Sequence, residues 1–154
     1  MSQSLCQNYV HIIFHINFVN PVKIPSEIER DLYAYLAEIC KRHGSNSSMI
    51  NGVNDHVHIL CRLAKDLSIA ELIQKLKSNS SRWMKTQNHI DPYLEKFSWQ
   101  KGYGSFSVSP SNLSKVEQYI AQQKEHHKRY SYKEEYLKFL EKYDVEYNEK
   151  YLWE

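Results

Sequence analysis

Two stretches of the chain alternate between apolar and polar residues, which is typical of β-strands that bury one face. The first, YVHIIFHINF, covers residues 9–18, and the second, HVHILCRL, covers residues 56–63 after a turn at Asn54 and Asp55. In both stretches the apolar set falls on one side and histidines fall on the other. The pattern therefore predicts two strands whose second face carries imidazoles.

Helices are predicted after each of these strands by their start and stop signals. Ser26 and Glu29 have the spacing of a capping box, and Gly44 is placed to end the helix that they begin. Ser68 and Glu71 repeat the capping-box spacing at the start of a longer helix. Apolar residues in both segments recur at the three- and four-residue spacing of a helix packed on one side.

Shorter signals predict the remaining elements. SSMINGV, residues 47–53, and SFSVS, residues 105–109, indicate two further strands. Pro110 introduces a helix over roughly residues 112–130, and another helix is predicted over residues 132–142. The order β-α-β-β-α-β followed by C-terminal helices predicts an α+β fold, a ferredoxin-like two-layer sandwich around an antiparallel sheet.

In such a sandwich both crossover helices pack on one face of the sheet. We place His56 and His58 on the other face and expect a C-terminal catalytic helix to cover it. By contrast, we expect His11 and His15, which lie four residues apart on the first strand, at the sheet surface. A chain of 154 residues can bury one hydrophobic core, so we expect a single domain over residues 1–154.

Composition excludes several classes of function. A net charge of +2 is too small to indicate nucleic acid or a membrane by itself, and the four glycines form no nucleotide-binding fingerprint. No apolar run approaches the roughly 20 residues of a membrane span, and the start MSQSLCQN lacks a signal peptide's layout. The three cysteines are widely spaced without a C-x-x-C motif, which predicts reduced thiols. We therefore expect a cytoplasmic protein without a membrane partner.

His56 and His58 have the spacing of a metal-chelating pair. Residues two apart on a strand point the same way, with Cα atoms about 6.5–7 Å apart. Two imidazoles so placed can reach one metal ion with bonds of about 2 Å. The same pattern also fits two half-buried histidines with a packing role, so the residues that join the pair decide between the two interpretations.

The helix after Pro110 supplies candidates for the rest of a site. Its apolar stripe continues into Gln123 and His127, and polar residues on an inner face often mark a site. Tyr119 lies four residues before Gln123 and on the same side. Two imidazoles and an amide oxygen form an incomplete, hard shell that suits Mg²⁺ or Mn²⁺ better than a closed zinc site. Tyr119 could then attack phosphorus and form a covalent phosphotyrosine.

Four motifs in order along the chain resemble those of a known family. DHVHIL, LIQKLKSNSSRW, FSWQKGYGSFSVS and YIAQQKEHH are similar to the single-tyrosine HUH transposases of the insertion-sequence 200/605 group. The resemblance runs over nearly the whole chain, into the EYLKFL…EYNEKYLW tail. It implies that His56, His58 and Gln123 are metal ligands and that Tyr119 is the nucleophile that becomes linked to a 5′ phosphate. None of these four positions is substituted.

The resemblance also implies a substrate and an assembly. Family members cut and rejoin single-stranded DNA at element ends that carry imperfect hairpins. They are homodimers in which the tyrosine helix can complete the partner's active site. The same substrate and a homodimer are therefore expected here, whereas the choice between a tyrosine acting in its own chain or in its partner stays open.

Several polar residues are candidate DNA contacts, and the alternative for all of them is an ordinary solvated surface. They lie on the second predicted helix and in the WQKGYG segment: Lys75, Lys77, Asn79, Arg82, Gln100 and Lys101. Trp99 and Tyr103 are expected to pack rather than to stack on bases. His127 is a candidate second-shell residue or alternative ligand, and His126 is expected at the surface or at a helix end.

Three other functions compete with a transposase. A metal-dependent hydrolase could use His56, His58 and His127 to activate water without a covalent step. A non-catalytic binding module for single-stranded nucleic acid would carry aromatic residues on its exposed sheet face, where this chain has histidines instead. A replication-type relaxase would share the chemistry but is expected in a longer chain.

Overall fold

The computed structural model describes residues 2–154. Four strands are present: β1 (Asn8–His15), β2 (Ser47–Val53), β3 (His56–Leu63) and β4 (Gly104–Val108). Five helices accompany them: α1 (Glu29–Arg42), α2 (Ile69–Lys85), α3 (Leu113–Ala121), α4 (Gln123–His126) and α5 (Tyr132–Lys142). Short 3₁₀ turns occur at Ser26–Ile28, Pro92–Lys96 and Pro110–Asn112. None of the helices in these residues has the length and apolar character needed to cross a membrane.

The four strands form one antiparallel sheet in the order β2-β3-β1-β4. The two strands recognised by their alternation, β1 and β3, therefore occupy the centre. Their register pairs His15 with His56 and Ile13 with His58. The predicted α+β fold, with an antiparallel sheet and crossover helices, is confirmed.

One face of the sheet packs on α1 and α2 and forms the larger core. Its fully buried side chains come from the two central strands and from both crossover helices: Ile12, Phe14, Val57, Ile59, Leu32, Leu36, Leu72 and Leu76. Burying a side chain of this size contributes about 1.5–3 kcal/mol relative to leaving it exposed. This layer holds β3 rigidly, and β3 carries the histidine pair.

The second face is covered by the C-terminal helices, as predicted. Ile13 and Phe106 pack against Tyr132, Tyr136 and Leu140 of α5 in a second apolar cluster. A third cluster joins strands β3 and β4 to α3. These helices therefore bury the central residues of this face, among them Ile13 and Leu60.

The expectation that His11 and His15 lie at the sheet surface is wrong. Their side chains are only 1% and 0% exposed. The alternation of β1 assigned them correctly to the second face. That face is not open to solvent, because Phe139 of α5 packs edge-on against His11 and Tyr132 against His15.

Two local predictions also differ from the structure. The helix expected over residues 112–130 breaks at Gln122, whose backbone angles of −96° and 14° separate α3 from α4. The capping box at Ser26 does not form, because Pro25 takes the cap position and Ser26 begins a 3₁₀ turn instead. Both hydrogen bonds of the capping box between Ser68 and Glu71 are present at the start of α2. Gly44 follows the end of α1 with a φ of 66°, as predicted.

Gly52 in β2 is expected to be essential to the hairpin that presents His56. A Cβ atom added there would overlap the backbone oxygen of His56, which cannot move without shifting β3. We predict that Gly52→Ala lowers the free energy of unfolding by about 1–3 kcal/mol, measured by urea denaturation. Gly102→Ala is the matched control, since its Cβ would meet the Gln100 side-chain nitrogen at 3.4 Å and the Glu154 backbone oxygen at 3.9 Å, both without overlap. If Gly52→Ala and Gly102→Ala had the same free energy of unfolding, Gly52 would not be essential to the hairpin.

Candidate metal and nucleophile site

His56 and His58 form the base of the site on the covered face of β3. Both side chains are fully buried, and their ring centroids lie 5.1 Å apart. The Nδ1 atom of His56 lies 2.6 Å from Oδ1 of Asp55, and the Nδ1 atom of His58 lies 2.8 Å from Nε2 of His11. With both Nδ1 atoms engaged, the Nε2 atoms of the pair are left to face the interior of the site.

This arrangement is the one that holds metal-binding histidines in a single tautomer. Asp55 accepts a hydrogen bond from His56. Burial, followed by the nearby His58, lowers the pKa of His11 well below its ordinary value, so His11 is neutral and its Nε2 can accept from His58. Burial also lowers the pKa of His58 to about 4. His58 is therefore a neutral imidazole whose Nε2 atom faces Oε1 of Glu135 at 2.9 Å.

The helix α4 brings two more polar groups to the pair. Gln123 is fully buried, and its Oε1 atom lies 3.2 Å from Nε2 of His56 and 2.9 Å from Nε2 of His127. The break at Gln122 precedes both residues, and the Asn51 side chain donates hydrogen bonds to two backbone oxygens at the end of α3. Strand β2 thereby fixes the point at which the chain turns toward the histidines.

Tyr119 lies at the side of this group, on α3. Its ring is half-buried, with its centroid 5.9 Å from that of His58. Its hydroxyl donates a hydrogen bond to Oε2 of Glu135. Burial, together with the negative charge of Glu135, raises the pKa of Tyr119 well above its usual value. The structure therefore holds the phenol protonated and fixed in direction.

The carboxylate of Glu135, on α5, is the group that the sequence analysis missed. Only 2% of its side chain is exposed. Its Oε1 atom lies 2.9 Å from Nε2 of His58, 3.5 Å from Nε2 of His56 and 3.3 Å from Nε2 of His127. Its Oε2 atom accepts from Tyr119 and from the Gln123 amide nitrogen at 3.0 Å. One oxygen thus faces the imidazoles and the other faces the phenol.

A sequence signal for Glu135 was available. It lies between Tyr132 and Tyr136 on the buried stripe of α5, where Leu140 follows one turn later. A carboxylate on the apolar stripe of an amphipathic helix breaks the pattern in the same way as Gln123 does in the preceding helix.

The charges in the site compensate one another. Burial alone would raise the pKa of Glu135, but hydrogen bonds from His127, His56 and His58 outweigh it and hold the pKa well below its ordinary value. Burial would likewise lower the pKa of His56, but its bonds to Asp55 and Glu135 raise it. A buried carboxylate is tolerated only when paired in this way, so the cluster carries its own counter-charge.

These donors fit a divalent cation. One ligand atom each from His56, His58, His127 and Glu135 lies within 4.8 Å of all the others, and the Gln123 amide oxygen adjoins the same group. Imidazole nitrogens with carboxylate and amide oxygens are a mixed set that suits divalent metals. The predicted residues His56, His58 and Gln123 therefore lie together, with Tyr119 beside them.

His126 was expected at the surface or at a helix end, and it is the last residue of α4. Its half-buried ring also borders the site. Its Nε2 atom lies 3.3 Å from Oε2 of Glu135, without the geometry of a hydrogen bond, and its ring is 5.5 Å from that of Tyr119. His127, predicted as a second-shell residue or alternative ligand, lies with its Nε2 atom inside the donor group.

The residues predicted to contact DNA lie elsewhere. Helix α2 packs on the opposite face of the sheet, where Lys75 and Arg82 are exposed and Asn79 is half-buried, and Lys101 is exposed in the segment before β4. Lys77 donates to the backbone oxygens of Gln100, Lys101 and Gly102. Gln100 is 5% exposed and accepts from the His15 backbone. Lys77 and Gln100 thus have partners inside the protein, and Trp99 packs in the core as expected.

The known proteins that resemble this chain in sequence or in structure are described as transposases. Residues 4–123 match the family described as "Transposase IS200 like". A solved structure from Deinococcus radiodurans R1, assigned as a transposase, is 23% identical, with a TM-score of 0.60 over 80% of this chain and 98% of that one. A REP-associated tyrosine transposase bound to a REP hairpin is 11% identical, with a TM-score of 0.55 over 82% of this chain and 74% of that one. At these identities both likenesses show the fold alone. No curated protein sequence matches the chain.

The family match ends at Gln123, so α5 and Glu135 lie beyond it.

We predict that Mn²⁺ binding, measured by isothermal titration calorimetry, weakens about tenfold or more in Glu135→Gln, because loss of a ligand or of its supporting group has effects of this size. Glu141→Gln is the matched control, an exposed glutamate on the same helix. If both variants bound Mn²⁺ like the unmodified protein, Glu135 would have no part in the metal site.

Proposed function

Since the chain belongs to the IS200-like transposase family, we propose that it is a metal-dependent strand transferase that cleaves and rejoins single-stranded DNA at hairpin-bearing element ends. The observation that carries this proposal is the Tyr119 hydroxyl, which donates to Glu135 beside a buried pair of histidines whose Nε2 atoms face the same carboxylate. A phenol beside such a cluster can serve as a nucleophile toward phosphorus.

We propose His56, His58 and Gln123 as the metal ligands, with Glu135 and His127 within reach of the same ion. The oxygen-containing ligand set favours Mg²⁺ or Mn²⁺. When bound, such an ion polarises a non-bridging oxygen of the scissile phosphate. His11 and Asp55 keep the two imidazoles in the orientation that this requires.

The chemical step follows from the position of Tyr119. Its oxygen attacks phosphorus, the bond from phosphorus to the 3′ oxygen breaks, and the 5′ phosphate becomes linked to the tyrosine. Glu135 accepts the hydrogen bond of this hydroxyl and orients its oxygen, and the proton of the phenol ends on the departing 3′ oxygen, which leaves as a 3′ hydroxyl. In the second step a 3′ hydroxyl of another strand attacks the same phosphorus and releases Tyr119. No external energy source is needed, because the phosphotyrosine retains the energy of the broken bond.

Two features of the assembly follow from the same proposal. The family resemblance favours a homodimer, and the single chain already places Tyr119 beside its own His58. Lys124 of α4 bonds to Asn51 and Gly52 of β2 and pairs with Glu29, which holds α4 on its own sheet. We therefore propose that Tyr119 acts on the histidines of its own chain.

The exposed residues Lys75, Arg82 and Lys101, with the half-buried Asn79, remain the proposed contacts to DNA away from the cleavage site. Lys77 and Gln100 are left out of this surface because of their internal partners. All three cysteines are free thiols, which favours the cytoplasm.

A metal-dependent hydrolase is the second candidate, favoured by the presence of His127 in the donor group. It would use His56, His58 and His127 to activate water. Such an enzyme would not need the Tyr119 hydroxyl, so a single substitution separates the two functions.

We predict a covalent adduct between the protein and DNA. Single-stranded hairpin oligonucleotides from the ends of the element, labelled at either terminus, are incubated with Mg²⁺ or Mn²⁺ and analysed by denaturing electrophoresis. The fragment downstream of the cut should remain on the protein, whereas Tyr119→Phe should give none because the attacking oxygen is missing. Tyr103→Phe, at an exposed tyrosine, is the control and should form the adduct normally. Cleavage by Tyr119→Phe at an unchanged rate would instead establish the hydrolase.

A further inference from the structure

A cavity of about 360 Å³ lies beside Tyr119, between α3 and α5. We propose that it binds one nucleotide of the DNA strand, next to the phosphate that Tyr119 attacks. This inference rests on the proposed function and adds to it a binding site for a nucleobase and its phosphate. The cavity is called the α3–α5 cavity below.

Its charge fits a phosphate. Lys115 of α3 and Lys138 and Lys142 of α5 line the cavity, and all three are exposed to solvent. Among residues 2–154, none of these amines is paired with a carboxylate. The acidic residue that lines the cavity, Glu135, is already paired with the imidazoles and hydrogen-bonded to Tyr119. Three amines without acidic partners around one cavity attract an anion.

Its apolar wall fits a base. Phe139 and Tyr143 are half-buried, with nearly parallel rings whose planes are inclined by 12°. Phe139 also lies edge-on to Tyr119, with ring centroids 5.6 Å apart. Aromatic side chains beside a positively charged surface are the usual means of holding an unpaired base.

The size and position of the cavity favour one nucleotide over a duplex. Pockets for small ligands begin at roughly 300 Å³, so a volume of about 360 Å³ admits one nucleoside with its phosphate. Glu135 belongs both to the cavity lining and to the metal cluster, and Tyr119, which also lines the cavity, donates a hydrogen bond to it. A strand with its scissile phosphate at Tyr119 would therefore place a neighbouring nucleotide in the cavity, with its next phosphate near the lysines.

The test uses deoxythymidine 3′,5′-bisphosphate as a probe, with binding measured by isothermal titration calorimetry in EDTA so that no metal site contributes. We expect the double variant Lys138→Ala/Lys142→Ala to lose about tenfold or more in affinity, since bonds to charged groups are the stronger class. Lys65→Ala/Lys96→Ala removes the same charge at two exposed lysines that do not line the cavity, and it should bind normally.

Two further arms separate the base from the phosphate. Tyr143→Leu should weaken binding of the bisphosphate but not of inorganic phosphate, because it removes the ring and keeps an apolar side chain. Tyr93→Leu, at an exposed tyrosine that does not line the cavity, is the matched control and should bind the probe like the unmodified protein. Equal affinity of the two double-lysine variants would overturn the inference.

The inference and the proposed function can fail separately. Lysine-dependent binding of the probe without any DNA adduct would leave the cavity as a nucleotide site and refute strand transfer. An adduct without lysine-dependent probe binding would support strand transfer and refute the role of the cavity.

Discussion

The pairing of the Glu135 carboxylate with buried imidazoles is the interaction on which the second half of this structure depends. A carboxylate at this depth costs several kcal/mol unless it is paired and hydrogen-bonded. His56 and His58 on β3 and His127 next to α4 provide that pairing. The position of α5 is therefore set by charge as well as by the apolar contacts of Tyr136 and Leu140. Without this pairing, closure of the histidine face by α5 would bury an unpaired carboxylate.

The two faces of the sheet have different roles as a result. The face under α1 and α2 is an ordinary apolar core that fixes β1 and β3. The other face buries a polar network that runs from Asp55 and His11 at the back to Tyr119 at the edge. Its hydrogen bonds fix the directions of the two imidazoles, the carboxylate and the phenol. His15 Nε2, His126 Nε2 and the Tyr132 hydroxyl on the same face have no hydrogen-bond partner within the part of the chain that the structure describes.

The network joins residues that lie within the family match to residues that follow it in the chain. The histidine pair, Tyr119 and Gln123 lie within the residues that match the IS200-like transposases. Glu135 and two of the three lysines of the α3–α5 cavity, Lys138 and Lys142, follow them in α5. The C-terminal helix thus places a carboxylate and a basic cavity beside the proposed site.

Much of this was predictable from local pattern. Alternation located β1 and β3, and the Ser68 capping box located α2. Spacing predicted that Tyr119 and Gln123 lie close together, although they belong to the separate helices α3 and α4. The burial of His11, the break at Gln122 and the role of Glu135 were not predicted, because each depends on contacts between elements far apart in sequence. His11 is buried only once Phe139 covers it, and Gln122 turns where Asn51 binds the end of α3. The role of Glu135 becomes evident only when α5 lies opposite the histidines of β3.

The central claim is that one chain holds a complete site, and a mixing experiment tests it most directly. Tyr119→Phe is combined with a mass-tagged His56→Ala variant, incubated with metal and a hairpin substrate, and compared with the unmodified protein under the same conditions. Each variant lacks one half of the site, so the account predicts no adduct on either chain, while the unmodified protein forms one. A labelled adduct on the tagged chain would contradict the account, since its Tyr119 could only have used the histidines of the other chain.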